Sequence, residues 1–178
     1  MQRVAIFVDG GGFRYVRKEV SEKLGKNLDF EKFCQKVCGE RQFIRAYYCD
    51  AVPSQQKEPN AYRESIKHLD SLEQTPYVET SRSVLMYPPG ESKPRQAGVD
   101  MRVAMYMVKL AYNNAYDVAV LVCGDSDFKD VIKTVKDMGK HVEYLCYPKV
   151  MMATALIAAS DKVIKISLNW LEECLVEI

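Results

Sequence analysis

The stretch "VAVLVCGDSDFKDVIKTVKDMGKHVEYLC", residues 118–146, decides the fold. It begins and ends with short apolar runs rich in β-branched residues, which predict buried strands at residues 118–123 and 142–146. Between them, apolar residues recur at steps of three and four from residue 128 to 138, and Gly139 follows, as is typical of an amphipathic helix that ends at a glycine. The stretch therefore predicts a strand, helix and strand unit whose strands are parallel.

The rest of the chain repeats this alternation of apolar runs and helical patterns. Further strands are predicted at residues 4–8, 43–49, 78–86 and 162–166, and further helices at 29–38, 61–72, 99–112, 151–159 and 167–175. The helix at 99–112 is apolar on nearly every face, so we expect it to be largely buried. The pattern predicts one α/β domain over residues 1–178, with a parallel sheet covered by helices on both faces.

The composition is that of a globular protein, with 48% apolar and 28% charged residues. A net charge of +1 gives no general attraction to nucleic acid, so such a partner would need a local basic patch. The six cysteines form no CxxC pair and the chain has only two histidines, which excludes a zinc site of known spacing. We expect the cysteines to be reduced thiols. No apolar run approaches the ~20 residues of a membrane span, and we expect a cytoplasmic protein without membrane contact.

Four aspartates stand at predicted strand ends or next to them. Asp9 closes the first strand, Asp125 and Asp127 follow the strand at 118–123, and Asp100 begins the helix that leads into that strand. Ligands of open parallel sheets collect beyond the carboxyl ends of the strands, so we expect all four side chains in one crevice. Clustered carboxylates repel one another unless a cation neutralises them, and their oxygens suit Mg²⁺ or Mn²⁺. The pattern predicts a metal centre that hydrolyses phosphodiesters.

Each of these aspartates also has a purely structural alternative. Asp127 is a candidate N-cap for a helix that begins at Phe128, and Asp100 is a candidate N-cap of its own helix. Asp9 precedes three glycines, residues 10–12, and would then be only a turn residue before a flexible loop. The occurrence of all four in one chain favours the metal site.

Four segments resemble the NYN domains, a branch of the PIN-like metal-dependent ribonucleases. They are "VAIFVDGGGF", "QAGVDMRVAMYMVKLAYNNAYDVAVLVCGDSDF", "VKDMGKHVEYL" and "LIAASDKVIKI", which occur in the order of the family and span most of the chain. The resemblance implies a Rossmann-like sheet of the PIN type. It also implies that Asp9, Asp100, Asp125 and Asp127 form a catalytic centre that binds Mg²⁺ or Mn²⁺ and cleaves RNA.

Three positions depart from the family pattern. Gly12, Ala97 and Tyr106 stand where the family usually has Asn, Lys and Asp. These changes leave open a second interpretation, in which the domain is a weakened or inactive module that binds RNA or another protein. Tyr106 itself is expected to belong to the core, with base stacking as its alternative.

Polar residues around the predicted crevice are candidates for substrate binding: Arg14, Arg17, Lys93, Arg95, Arg102 and Ser126. Basic side chains of this kind hold the phosphates of a nucleic acid without reading its sequence. The alternative is a solvated face of mixed charge. RNA is therefore the expected partner, and a homo-oligomer or a protein partner stays open. An aspartyl phosphatase is a distant third candidate, because it needs a second acid where this chain has Gly11.

Overall fold

The computed structural model describes residues 1–90, 94–148 and 150–177. The main strands are β1 (Arg3–Asp9), β3 (Gln42–Val52), β4 (Val78–Val84), β5 (Val118–Val122), β6 (His141–Cys146) and β7 (Lys162–Lys165), and a short pair is formed by β2 (Lys26–Leu28) and β8 (Leu175–Glu177). The helices are α1 (Gly10–Leu24), α2 (Phe30–Cys38), α3 (Pro59–Glu73), α4 (Val99–Tyr112), α5 (Lys129–Asp137), α6 (Thr154–Ala159) and α7 (Leu168–Leu171). Two 3₁₀ turns span Ser126–Phe128 and Glu172–Cys174.

The six main strands form one parallel sheet in the order β4-β3-β1-β5-β6-β7. Alternate residues of β1 pack into two separate cores, because successive side chains of a strand point to opposite faces. Val4, Ile6 and Val8 contact the core that covers one face, beneath α1, α2, α3 and α7. Ala5 and Phe7 contact the other core, beneath α4, α5 and α6. The sheet with helices on both faces confirms the predicted fold class.

The segment after Asp9 is a helix, and the expectation of a flexible glycine loop was wrong. Asp9 is the N-cap of α1, and its side chain accepts the backbone N–H of Gly11 at 2.9 Å. Phe13, Val16 and Val20 then lie at helical spacing and are fully buried against the sheet. The cap and this packing stabilise a helix whose first turn has the poor helix propensity of glycine.

The predicted burial of α4 was also wrong. Its buried residues follow one stripe, Val99, Val103, Met107 and Ala111, whereas Met101 is 63% exposed. By contrast, α5 ends as predicted, since Gly139 follows it with φ +78°, a backbone conformation that glycine adopts without strain.

The two C-terminal helices are shorter than predicted. The helix predicted at 151–159 begins at Thr154, and the helix predicted at 167–175 is limited to α7 and the 3₁₀ turn that follows it. The chain then forms β8, which pairs antiparallel with β2. All six cysteines are free thiols in the core, as expected. Within the part of the chain that the structure describes, no helix has both the length and the apolarity of a membrane span.

Candidate functional site

The candidate site lies where the sheet changes its direction of winding. From β1 the chain proceeds outward through β3 and β4, and then returns to the other side of β1 to build β5, β6 and β7. The helices that follow β1 and β5 pack on opposite faces and diverge between the carboxyl ends of these two neighbouring strands, which leaves a crevice there. Asp9 ends β1 at this edge, and Asp125 follows β5 at the same edge.

Asp9 is a partly buried carboxylate with other acids nearby. Its pKa is raised to about 6, mainly by burial and also by the neighbouring carboxylates of Asp50 and Asp125, although the backbone N–H groups of Gly11 and Gly12 act to lower it. The hydrogen bond from Gly11 occupies Oδ1. The charges of Asp50 and Asp125 favour the neutral form of this carboxyl group.

Asp50 is a member of this group that the sequence analysis missed. It is 4% exposed, and β3, predicted to end at Cys49, continues through it. Asp9 of β1 pairs with Cys49 of β3, and Asp50 is the next residue of β3. Its Oδ1 accepts from Arg14 Nη2 at 2.9 Å and from the backbone N–H of Ala51 at 2.8 Å. The only signal in the sequence was an acid inside the apolar run "AYYCDAV".

Asp125 forms the same local turn as Asp9. Its Oδ1 accepts the backbone N–H of Asp127 at 2.9 Å and caps the 3₁₀ turn Ser126–Phe128. The alternative in which Asp127 caps the next helix was wrong, because α5 has Phe128 at its N-cap and no capping side chain. Ser126 and Asp127 are both exposed, so the turn presents them to solvent beside the half-buried Asp125.

Asp100 and its neighbours form the rim at the start of α4. Gly98 occupies the N-cap position, so the alternative in which Asp100 is the cap was wrong, and Asp100 is exposed in the first turn. Arg102 is exposed and donates from Nη1 to Ser81 Oγ at 2.7 Å. Arg95 is exposed and its backbone bridges to Met86, while Lys93 lies outside the described residues.

The three departures from the family pattern have distinct structural settings. A Cβ at Gly12 would lie 3.3 Å from Sδ of the buried Met151, so a methionine packs where a side chain at position 12 would begin. Tyr106 stacks on Tyr47 with ring centroids 4.8 Å apart and donates its hydroxyl to Glu79 at 3.2 Å. Tyr106 is thus half-buried and packs against the edge of the core, so the expectation that it belongs to the core holds only in part. Ala97 is half-buried directly before Gly98.

The carboxylates at this edge could supply two protein ligands to a hard cation. Among the described residues, no three Asp, Glu, His or Cys side chains are placed so that they could share one metal ion. Asp9 and Asp125 are nonetheless close enough for the charge of Asp125 to raise the Asp9 pKa. One or two carboxylates are a common protein contribution to a Mg²⁺ site, because water and substrate phosphate supply the other oxygens.

A model of the NYN domain family matches residues 3–169. The chain belongs to the NYN domain family. Members of this family are generally nuclease-like and act on nucleic acids. The match includes both strand ends of the crevice, with Asp9 and Asp125.

A crystal structure from Vibrio parahaemolyticus RIMD 2210633, of a protein of unknown function, is similar to this NYN domain. The TM-score is 0.61 at 18% sequence identity, over 98% of this chain and 96% of that chain. A likeness at this identity supports the fold alone. None of the curated proteins that were compared with the chain matches it.

Proposed function

We propose that this NYN domain is a metal-dependent ribonuclease that hydrolyses RNA phosphodiester bonds. The observation that carries the proposal is the carboxylate of Asp9, whose pKa is raised to about 6 beside Asp50 and Asp125 at the sheet crevice. A group of this kind is stabilised by a divalent cation, and perturbed acids in a crevice mark functional sites.

Asp9 and Asp125 would hold Mg²⁺ or Mn²⁺, with the exposed Asp127 and Asp100 nearby to orient water bound to the metal. A bound cation would lower the pKa of water and offset the charge that develops on the phosphodiester. The capping hydrogen bonds from Gly11 and Asp127 fix the two carboxylates, so that each presents its second oxygen in a defined direction.

Basic residues around this edge would hold the RNA backbone. Arg17, Arg95 and Arg102 lie on α1, on the segment before α4 and on α4. Arg14 is held by Asp50 at 2.9 Å, so in this proposal it contributes mainly by neutralising that buried acid. Asp50 then does not compete for the cation, and Asp9 and Asp125 stay the ligands.

The test is cleavage of labelled single-stranded and hairpin RNA with Mg²⁺, with Mn²⁺ or with chelator. We expect cleavage that requires the metal and falls by at least about 100-fold in Asp125→Asn, because loss of a metal ligand removes charge stabilisation in the transition state. Asp137→Asn is the matched control, since it makes the same charge change at an exposed position in the last turn of α5. Cleavage that persists in chelator, or that Asp125→Asn leaves unchanged, would contradict the proposal.

A second candidate is a binding module without catalysis. It is favoured by Met151, which packs at the position where the family has an Asn side chain, and by Tyr106, which packs where the family has an acid. In that case wild type and Asp125→Asn would be equally inert and would bind RNA equally in chelator. Binding that requires Mg²⁺ would instead favour the enzyme.

A further inference from the structure

A second cavity adjoins the candidate centre on the side of β3. It has a volume of about 380 Å³ and lies between α1 and α3. Arg14 and Arg17 line it from α1, and Glu64 and His68 from α3. These pairs stand three and four residues apart, so each helix turns one face toward the cavity.

The cavity borders the acid centre at one side chain. Asp50 lines the cavity and also raises the pKa of Asp9. A ligand in the cavity would therefore lie beside the edge where Asp9 and Asp125 meet. A volume of this size is at the small end of ligand sites and accommodates one nucleotide, whereas a duplex is far too wide.

His68 lines the cavity, and one of its ring nitrogens has no hydrogen-bond partner among the described residues. Its Nε2 is buried and has no hydrogen-bond partner among the described residues. Its ring packs edge-on against Tyr48, with centroids 5.6 Å apart. The pKa of His68 is lowered to about 3, mainly by burial and also by the charges of Arg17 and Arg14. The imidazole is thus neutral, and a buried nitrogen of this kind requires a partner from a ligand or water.

The charge of the lining favours a neutral ligand over a phosphate. Two guanidinium groups, Arg14 and Arg17, face three carboxylates, Asp50, Glu58 and Glu64. An anion would meet this excess of negative charge, and the neutral His68 would not offset it. A nucleobase instead offers donors and acceptors on its edge and a flat face for a guanidinium plane.

We propose that this cavity holds one unpaired nucleobase of an RNA strand, with the His68 ring turning so that Nε2 bonds to the edge of the base, and with Arg17 against its face. The inference rests on the proposed function for its meaning, since the base would belong to a nucleotide next to the phosphate at Asp9 and Asp125. Such a pocket would give the nuclease a preference for one base, and for single strands over duplexes.

The chain has two histidines, which makes the test direct. Imidazole carbon–proton spectra of the protein in chelator are recorded while each of the four ribonucleoside 5′-monophosphates, or inorganic phosphate, is added. We expect one nucleotide to shift the signal of His68 and to leave the signal of His141 unchanged. His141 is 63% exposed at the opposite edge of the sheet.

His68→Phe keeps the ring and removes Nε2, and His141→Phe is its matched control. We expect the dissociation constant of the preferred nucleotide to rise about five- to tenfold in His68→Phe, the usual effect of one lost hydrogen bond, and to stay constant in His141→Phe. Arg17→Met, compared with Lys18→Met on the exposed side of α1, should weaken the same nucleotide.

The inference is overturned if no nucleotide shifts the His68 signal, or if inorganic phosphate shifts it as much as the nucleotides do, which would show an anion site or a water-filled cavity. The readout is independent of catalysis. A His68 shift without metal-dependent cleavage would refute the proposed nuclease and support the base pocket. Metal-dependent cleavage without a His68 shift would support the nuclease and refute the base pocket.

Discussion

At the end of β1, Asp9 accepts the N–H of the residue two positions on at 2.9 Å, and at the end of β5, Asp125 does the same. The surroundings differ. Asp9 leads directly into a helix of 15 residues and lies beside the buried Asp50, whereas Asp125 leads into a turn of three residues that is exposed at Ser126 and Asp127. A capping role therefore does not decide what else an aspartate does, because the cap uses one oxygen and the environment determines the other.

The largest expected difference between the two strand ends is in how stability depends on pH. The folded-state pKa of Asp9 is about 6, above its ordinary value of 3.8, so the folded state binds the proton more tightly. This contribution to stability is complete below about pH 4 and is lost as the pH rises through about 6, by up to about 3 kcal/mol. Asp9→Asn keeps the cap and cannot ionise, so its stability relative to wild type should rise over this range.

Urea unfolding in chelator at pH 4 to pH 7 measures the effect. Asp125→Asn is the comparison, because it removes one carboxylate that raises the Asp9 pKa and should change the pH dependence only in part. If the curves of wild type and Asp9→Asn run parallel, the electrostatic strain that we assign to Asp9 is absent.

Metal should stabilise wild type through both strand ends. At a concentration 100 times its dissociation constant, Mg²⁺ or Mn²⁺ should raise the free energy of unfolding by about 2.7 kcal/mol. The increase should largely vanish in Asp9→Asn and in Asp125→Asn and persist in Asp137→Asn. Thermal unfolding at pH 7 measures it without any need for activity. An equal increase in all four proteins would indicate a metal site elsewhere.

Arg14→Met should destabilise the fold by about 2–3 kcal/mol, because it leaves the nearly buried Asp50 carboxylate without its cation. The double variant Arg14→Met with Asp50→Asn should recover most of this loss, since the uncompensated charge is gone. Urea unfolding of the four proteins in the cycle gives the coupling. If the stability losses of the two single variants simply add in the double variant, the ion pair between Arg14 and Asp50 contributes little to stability.

The glycines at the two strand ends should differ in their tolerance of alanine. A Cβ at Gly10 would lie 2.6 Å from Tyr48 Cε1 and 2.7 Å from Asp50 Cβ, whereas at Gly124 the nearest atom is Met151 Cα at 3.4 Å. We expect Gly10→Ala to cost about 1–2 kcal/mol through overpacking and Gly124→Ala to cost less. Midpoints of chemical unfolding rank the two, and the opposite ranking would show that the β1 end is the more adaptable.

The smallest effect is expected from Gly12→Asn, which introduces the residue usual in the family. Met151 Sδ at 3.3 Å must move slightly, and since it belongs to a flexible side chain we expect a change in stability within about 1 kcal/mol. Cleavage in Mn²⁺ should be equal to wild type or higher. A large loss of stability would mean that Met151 cannot move.

The sequence predicted the main sheet because its strands are apolar runs separated by helical patterns, both of which are local signals. The positions of Asp9 and Asp125 followed from the same rule. Asp50 could not be predicted, since its burial depends on Arg14 in another element. Helix α1 was missed because three glycines weaken the local signal, while the burial of Phe13 that overrides it is a tertiary effect. Strand β8 was missed for a similar reason, as it exists only through its pairing with β2.

The position of β1 in the middle of the sheet also sets the order in which the site is assembled. Arg3 in β1 bonds Asp117, a residue 114 positions later, just before β5. Contacts of such long range make folding slow, because the loop between the two strands must close before they can pair. A chain in which β1, β3 and β4 have formed but β5 has not docked carries Asp9 without Asp125. The candidate centre is therefore complete only once β5 has docked, so a chain without that step would lack the second carboxylate that the proposed nuclease needs.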